Sequence, residues 1–549
     1  MIDITDTKEL NDELERAIVN LSEYHNDMTQ QQKYYKYSAF YPRKHGDTPN
    51  GTDFRINLLK VFADKNIHYT SQFPVIKVPT TGATPEQRQA ASVREKILYA
   101  VHQACNTELK QKKWATDATI FSVAISETGF DLKSRKPFVK RYDPRYVFWQ
   151  LSNDNEQKVQ AFWAVFPITA EECKKKYGFT PTKHAFSSGR LPGQFLSTID
   201  GQDWFAQAIR WDATTRVSWV GNEMVEEPHN HMMGEIPIDI CIPFDDSEKS
   251  NQGAFYLEPL IAPQAELNHT LKQRAAIADR MANPVVWGRG IMGRQFDDVK
   301  QNLEKSGGGF VGLKQTGELG LLQVKDVTLL NEHAADIISN MMRLSGFSAA
   351  AFGESVGANT SGDALGMYFT PTQRLIENQN ISWAAFYKSI NAKILRSIEV
   401  FGKPGETFSI AGFNPGGTVL ASESSDYSKK EYSSGSFDIT FDKTVIGGNY
   451  SSVVTFSNVT PKNEDTERRF WLDAANQKIV SRTTAFENIG ILSPEDELAL
   501  LTQEQQEPAL NPDGTQKILQ TANQFMQQQP QLPQAQPATI APTGAVNGA

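Results

Sequence analysis

Apolar residues recur at helical spacing in several long stretches of this chain and alternate with polar ones in shorter stretches, so rods and sheets are both predicted. In residues 255–283, Leu260, Leu267, Leu271, Ala278 and Met281 are spaced by seven, four, seven and three. That spacing draws one narrow stripe along a rod of roughly 40 Å, at ~1.5 Å per residue. Residues 331–345 repeat the device with Ile337, Ile338, Met341 and Leu344, and Asn331 reads as the helix cap. Residues 363–401 carry a longer stripe: Leu365, Phe369, Ile376, Trp383, Tyr387, Ile390, Ile394 and Ile398. Pro371 is expected to break or kink that helix. Thr360 with Asp363 three residues later fits a capping box. Between the last two rods, residues 346–362 hold Gly346, Gly353, Gly357 and Gly362 among small polar residues, a loop hung between helices.

Upstream, Leu10, Leu14, Ile18, Leu21 and Met28 predict an amphipathic helix over residues 6–32, capped by Asp6. A second helix is expected over 55–69, followed by the extended QFPVIKVP. A third is expected over 85–114, with Val93, Ile97, Val101, Cys105 and Leu109 in register. The period then switches to two. ATIFSVAISE, PFVKRYDPRYVFW, KVQAFWAVFP, residues 204–219 and residues 224–227 read as strands rich in Val, Ile, Phe and Trp. Gly221-Asn222 fits a hairpin turn. Thr169 with Glu172 opens a short helix that ends at Gly178. Between the first two rods, residues 285–287, 310–313 and 319–324 read as short strands around a small helix at 299–303. Beyond Gly402, FDITFDK and SVVTFSNV alternate as strands, residues from 463 turn helical, and a last helix is expected over 517–527. From Gln528 the chain is low-complexity and too poor in large apolar residues to bury itself.

At 549 residues the chain exceeds what one core usually supports, so several modules are expected. No long apolar run exists, and MIDITDTKEL is acidic, so neither a membrane span nor a signal peptide is expected. A net charge of −9 argues against tight duplex binding as the main task, because phosphate affinity needs clustered Lys and Arg. Cys105, Cys173 and Cys241 lie far apart with no CxxC pair, which predicts separate thiols.

Several motifs carry chemistry on paper. Gly288 to Gly293 matches GxGxxG, yet no helical βαβ continuation follows it, so a turn is the better reading. His229 and His231, with Glu226, Glu227 and Glu235 nearby, are metal-capable residue types without a ligand set fixed by spacing. Lys133, Arg135, Lys136, Lys140, Arg141 and Arg145 interleave with Phe138, Tyr142 and Tyr146. This run is a nucleic-acid patch, a solvated strand face, or a contact to the acid-rich surface of a neighbouring subunit. No HExxH, GxSxG or GxxxxGK[ST] occurs, so a non-enzymatic protein without cofactor or bound metal is expected.

The ordered pieces GAFYLEPLIAPQAELN, ADRMANPVVW and SGFSAAAFGESVGANTSGDALGMYFTPTQRLIENQNISW resemble the central part of tailed-bacteriophage portal proteins, the head-to-tail connectors. RINLLK, with Asn57, and RYDPRYVFW are similar to segments of that family's outer wing. The resemblance covers about residues 20–500. It implies an α+β subunit of a closed ring of about twelve copies, with wing, helical stem, β-containing clip and helical crown. The modules would be an N-terminal wing at 1–252, stem helices at 253–283 and 331–345, and a clip at 284–330. A tunnel loop at 346–362, a long kinked helix at 363–402, a wing β segment at 403–460, a crown at 461–527 and a tail at 528–549 would follow.

The resemblance further implies a conduit for double-stranded DNA, without base readout, at one capsid vertex of the virion, assembled in the bacterial cytoplasm. It would serve genome packaging and ejection. Its partners would be terminase, head-to-tail adaptors, scaffold and major capsid proteins, and no membrane. By match to the family, the channel would be lined by Gly353, Glu354, Ser355, Val356, Gly357, Ala358, Asn359, Thr360 and Ser361. Lys272, Arg274 and Arg280 are further channel candidates on the first stem rod, and Arg289, Arg294 and Lys314 are docking candidates on the clip. The single stripe on each rod is expected to be covered only by adjacent copies, so that the ring completes the fold. Two rival readings remain: a non-channel virion or scaffold protein whose rods form coiled coils, and a nucleotide-binding enzyme using Gly288 to Gly293.

Overall fold

A computed structural model describes residues 4–36, 56–79, 84–152, 158–181, 204–245, 252–282, 286–289, 318–321, 328–353, 362–413, 436–456, 464–482 and 485. The chain divides into two units, Met1–Pro461 and Lys462–Ala549. The first is an α+β assembly. It opens with α1 (Thr7–Tyr35), where the Asp6 carboxylate accepts from the Lys8 N–H at 2.8 Å, and α2 (Leu58–Thr70), where Asn57 does the same for Lys60 at 3.2 Å. Then come β1 (Val75–Lys77), α3 (Pro85–Ala104) and α4 (Thr107–Phe121).

The continuous helix expected over 85–114 is therefore two helices. Asn106 sits in the left-handed region at φ 51° between them, a conformation that asparagine tolerates better than most residues. The break re-aims the second half. Leu109, placed in the stripe by counting through the break, is 68% exposed, while Trp114 and Ala118 become the buried positions. The first four residues of ATIFSVAISE also belong to α4, and the strand starts only after Ser122, at φ 61°.

That strand is β2 (Ala124–Asp131), the centre of a sheet ordered β3-β2-β9 with β3 (Lys136–Tyr142) and β9 (Ile238–Cys241). Asp143 and Pro144 make a short turn into β4 (Val147–Leu151). An antiparallel meander then runs through β5 (Val159–Thr169), β6 (Trp204–Trp211), β7 (Thr215–Val220) and β8 (Glu223–Asn230). Gly221 and Asn222 form the two-residue turn between the last two strands, with Gly221 at φ 63°. Between β5 and β6, α5 (Ala170–Tyr177) carries the full capping box of Thr169 and Glu172 and stops at Gly178. The buried face of α1 covers the meander through Leu10, Leu14, Ile18 and Leu21 against Phe148, Trp163, Trp211 and Trp219.

The remaining elements are α6 (Glu258–Ala282), β10 (Val286–Arg289), β11 (Glu318–Leu321), α7 (Thr328–Ser345), α8 (Gly362–Phe401), β12 (Thr407–Phe413), β13 (Ser436–Asp442) and β14 (Val453–Thr455). Strand β14 pairs with β1 across most of the chain length, and β12 pairs with β13. The sequence reading missed β12, although Phe408 and Ile410 alternate inward there. Helix α8 runs as one long helix through Pro371, so of the expected break or kink the break does not occur. Pro371 lies on an exposed face, where water can serve the carbonyl left without a donor. Thr360, the expected cap, lies outside the described residues, as do 290–317 with the predicted small helix and one clip strand. In the second unit, α9 (Glu464–Asn476) is described, with Ala474 buried and Phe470 exposed; the expected helix over 517–527 and the tail from Gln528 lie outside the described residues.

A second core gathers α3, α4 and α8 against β2, β3 and β9, centred on Trp114, Trp383, Phe386, Tyr387, Ile390 and Ile394. Two histidines are locked in these cores. His102 Nε2 donates to Asn391 Oδ1 at 2.8 Å, and His25 Nε2 donates to the Pro144 carbonyl at 3.2 Å. Burial lowers both imidazoles from 6.5 to about 4. The fold therefore holds them neutral, whereas the unfolded chain takes up their protons below pH 6.5. Stability is fully present above 6.5 and declines from there toward pH 4, each histidine being worth on the order of 3 kcal/mol at the lower limit. Thermal unfolding followed from pH 7 to pH 4 should show this decline, and His102→Gln should make it shallower.

Candidate functional site

The region expected to bear function begins where α6 and α7 lie side by side. Tyr256, just before α6, donates to the carbonyl of Ser345 at the end of α7 at 3.1 Å, and Arg274, near the far end of α6, donates to Asn331, near the start of α7, at 3.2 Å. Start meets end and end meets start, so the pair is antiparallel. Between the two helices, β10 and β11 pair antiparallel in register, Val286 opposite Leu321 and Arg289 opposite Glu318. The local result is a helical hairpin continued by a two-stranded ribbon.

The cover for these rods is internal. Leu260, Leu267 and Leu271 of α6 share one core with Ala334, Ile337 and Met341 of α7, with Leu59, Phe62 and Ala63 of α2, and with Ile376 of α8. This corrects the expectation that only adjacent copies could bury the stripes: antiparallel pairing lets each rod serve as the other's partner. Two stripe positions and one cap change with it. Ala278 is exposed, Leu344 is 52% exposed, and Asn331 lies inside α7, which starts at Thr328, so it bonds Arg274 rather than capping the helix.

At the base of the hairpin, α6 grips the start of α2. Gln264 accepts from the Leu58 N–H at 2.9 Å and donates to the Ile56 carbonyl at 2.9 Å, while Asn57 donates to the Tyr35 carbonyl at 3.1 Å. Asn57 thus links the end of α1, the cap of α2 and, through its neighbours, α6.

After α7 the chain is pinned before it reaches residue 354. Gly346 takes a left-handed turn at φ 76°, which a side chain would strain. The Ser348 N–H then donates to Thr372 Oγ1 at 3.0 Å, and Lys65 donates to the Ala351 carbonyl at 2.8 Å. Phe352 meets Phe62 edge-on at 5.3 Å. Gly353 closes this segment at φ 82°. Of the expected tunnel-loop residues, Gly353 is described. Glu354, Ser355, Val356, Gly357, Ala358, Asn359, Thr360 and Ser361 lie outside the described residues. The anchors Lys65, Ser348 and Thr372 escaped the sequence reading, because nothing local marks a residue whose partner is far away in the chain.

The other candidates separate. Lys272 is exposed on α6, and Arg274 is spent partly on Asn331. Arg280 lies on α6 and Arg289 on β10, while Arg294 and Lys314 fall outside the described residues. Gly288 lies in a strand paired antiparallel with β11, whereas a dinucleotide fingerprint needs a parallel βαβ unit, so the nucleotide reading fails on topology.

The basic run from Lys133 to Arg145 is mostly neutralised from within. Arg141 grips Asp117 with two bonds of 2.5 Å, Arg145 pairs with Asp143 at 2.6 Å, Arg135 pairs with Glu406, and Lys140 approaches Glu127 at 3.9 Å. Burial pushes the Asp117 carboxyl up, and the Arg141 guanidinium opposes that push. Pairing of this kind leaves phosphates little uncompensated charge and counts against the nucleic-acid patch; the carboxylates that meet the run come from this chain's own elements. His231 is likewise occupied: its Nε2 donates to the Asp212 carbonyl at 3.0 Å and its Nδ1 accepts from the Met233 N–H at 3.3 Å. Glu226 is held by Arg216.

Thr372→Val would orphan the Ser348 N–H, a loss of about 1–3 kcal/mol. Limited proteolysis within Ala349–Phe352 should then accelerate at least about fivefold, while cleavage within α1 stays at its original rate.

No curated protein matches the chain. A sequence profile of the family described as "Phage portal protein, SPP1 Gp6-like" matches residues 87–509, a span that takes in the antiparallel hairpin, its ribbon, the pinned segment and all of α8. That match covers most of the 549 residues, and the chain belongs to the phage portal protein family.

Proposed function

We propose that this chain is the repeating subunit of a closed ring of about twelve copies, which conducts double-stranded DNA through one capsid vertex during packaging and again during ejection. The observation that carries the reading is the family match over residues 87–509. The α6–α7 hairpin would be the stem, the β10–β11 ribbon part of the clip, and residues 353–361 the constriction. The ring no longer needs the rods as its rationale, since their stripes are covered within one chain. Side chains left exposed elsewhere, such as Met367 and Ile381 on α8 and Leu329 on α7, are the natural places for copy-to-copy contact.

The role is structural rather than catalytic. Passing DNA would be met by shape, through many copies of a small-residue loop, without reading bases. Glu354 would keep phosphate from adhering, and Lys272 with Arg280 would touch it transiently. Terminase would dock on the clip during packaging, near Arg289, Arg294 and Lys314, and head-to-tail adaptors would follow there. Scaffold and major capsid proteins would surround the wing.

End-on electron micrographs and mass measurement of the purified protein should give a closed ring of about twelve chains; dimers or trimers would favour the coiled-coil virion reading instead. Within assembled heads, Glu354→Lys should slow DNA packaging severalfold, and an unchanged rate would remove the electrostatic part of the mechanism.

A further inference from the structure

A cavity of about 310 Å³ opens between α3, α4, β3 and β12, far in sequence from the loop and clip candidates. Its walls are apolar, with Val101 from α3, Phe138 from β3 and Ile410 from β12, and Ala104 stands exposed at its rim. The polar side chains of its lining are two cations, Lys110 and Lys136, and the neutral Cys105 thiol, with no carboxylate among the lining residues.

Lys110 is the informative member. Its Nζ donates to the carbonyl of Cys105 at 2.6 Å and to the carbonyl of Val139. A lysine ammonium has three donors, so these two bonds aim the group and leave one N–H to give. Carbonyl oxygens do not cancel its charge, and among the described residues no carboxylate reaches ion-pair distance of it. Burial pushes this ammonium down from its ordinary value, so a bound anion would relieve a cost the fold already bears.

We propose that this cavity is a binding site for a small amphipathic monocarboxylate, the carboxylate on Lys110 and the hydrocarbon tail against Val101, Phe138 and Ile410. The volume lies at the lower end of small-molecule sites and suits an alkyl or aryl tail of about eight carbons. A phosphate group would call for more donors than the one N–H that Lys110 has left, Lys136 being exposed to solvent, and a neutral alcohol would leave the Lys110 charge unmatched. The assignment is independent of the portal reading, because it uses none of the channel or clip residues.

The test is titration calorimetry on the full chain with octanoate, with octanol and acetate as the paired controls. Octanoate should bind, and each control should bind at least about tenfold more weakly. Octanoate should also slow alkylation of Cys105 by iodoacetamide, mapped by peptide mass, since Cys173 and Cys241 are buried and Cys105 is the thiol on the cavity. Ala104→Trp, a change at an exposed helical position, should block the mouth and abolish both effects; Lys110→Met should abolish octanoate binding while leaving the far-ultraviolet circular dichroism unchanged. Should Lys110→Met fail to fold, Ala104→Trp and the octanol control still decide. Absence of heat with octanoate would overturn the site, as would octanoate binding that survives Ala104→Trp. Equal binding of octanol would overturn the carboxylate assignment.

Discussion

Helix α8 holds its place through a line of buried polar pairs, and the rest of the first unit is arranged around that constraint. Along its length Thr372 meets Ser348, Gln379 meets Asn66, Tyr387 meets Gln111, Asn391 meets His102, and Lys393 meets Asp239 at 2.6 Å. These partners belong to the segment before the loop, to α2, to α4, to α3 and to β9. Apolar contacts alone would let the helix slide, since one stripe of Ile and Phe resembles the next turn of itself. A slip of one turn, ~5.4 Å, would leave every one of these buried groups unpaired, at about 1–3 kcal/mol each. The apolar stripe supplies most of the driving force, and the polar line supplies the register.

The same logic extends across the small sheet. Register sets Arg141 of β3, Ser126 of β2 and Asp239 of β9 in one row on the face toward α4 and α8. Asp117 of α4 closes one end of that row and Lys393 of α8 the other. Two buried ion pairs thus bind two helices to one sheet, and the hydroxyl of Ser126 lies between them. For the proposed conduit this matters mechanically: α8 follows residues 354–361 in the chain and is bonded to α2, α4, α3 and β9, so force on the loop would pass to a rod held in register.

The rods, the meander, the capping box at Thr169 and the hairpin turn at Gly221-Asn222 were legible in the sequence because each depends on spacing over a few residues. The break at Asn106 was not. Counting by four runs smoothly from Val101 through Cys105 to Leu109, and only the backbone turn at Asn106 shows that the count should restart. At Pro371 the sequence left a break or a kink open, and the helix continues because a missing donor costs little on a wet face. The basic run around Arg141 looked available to phosphate until Asp117, Glu127 and Glu406 were seen beside it, from other elements.

What the sequence by itself determined is the inventory of elements and, through ordered short patterns, the portal family. Tertiary structure decided what each surface faces. The stripes of α6 and α7 close on one another and on α2, rather than waiting for a neighbouring copy. Lys110 opens onto a cavity where Arg141 is spent on an aspartate. The physical reason is range. Helical and strand periods arise from hydrogen bonds between near neighbours and so are written in adjacent letters, while the partner of a buried charge or an apolar stripe is chosen by packing among residues that chain order does not bring together.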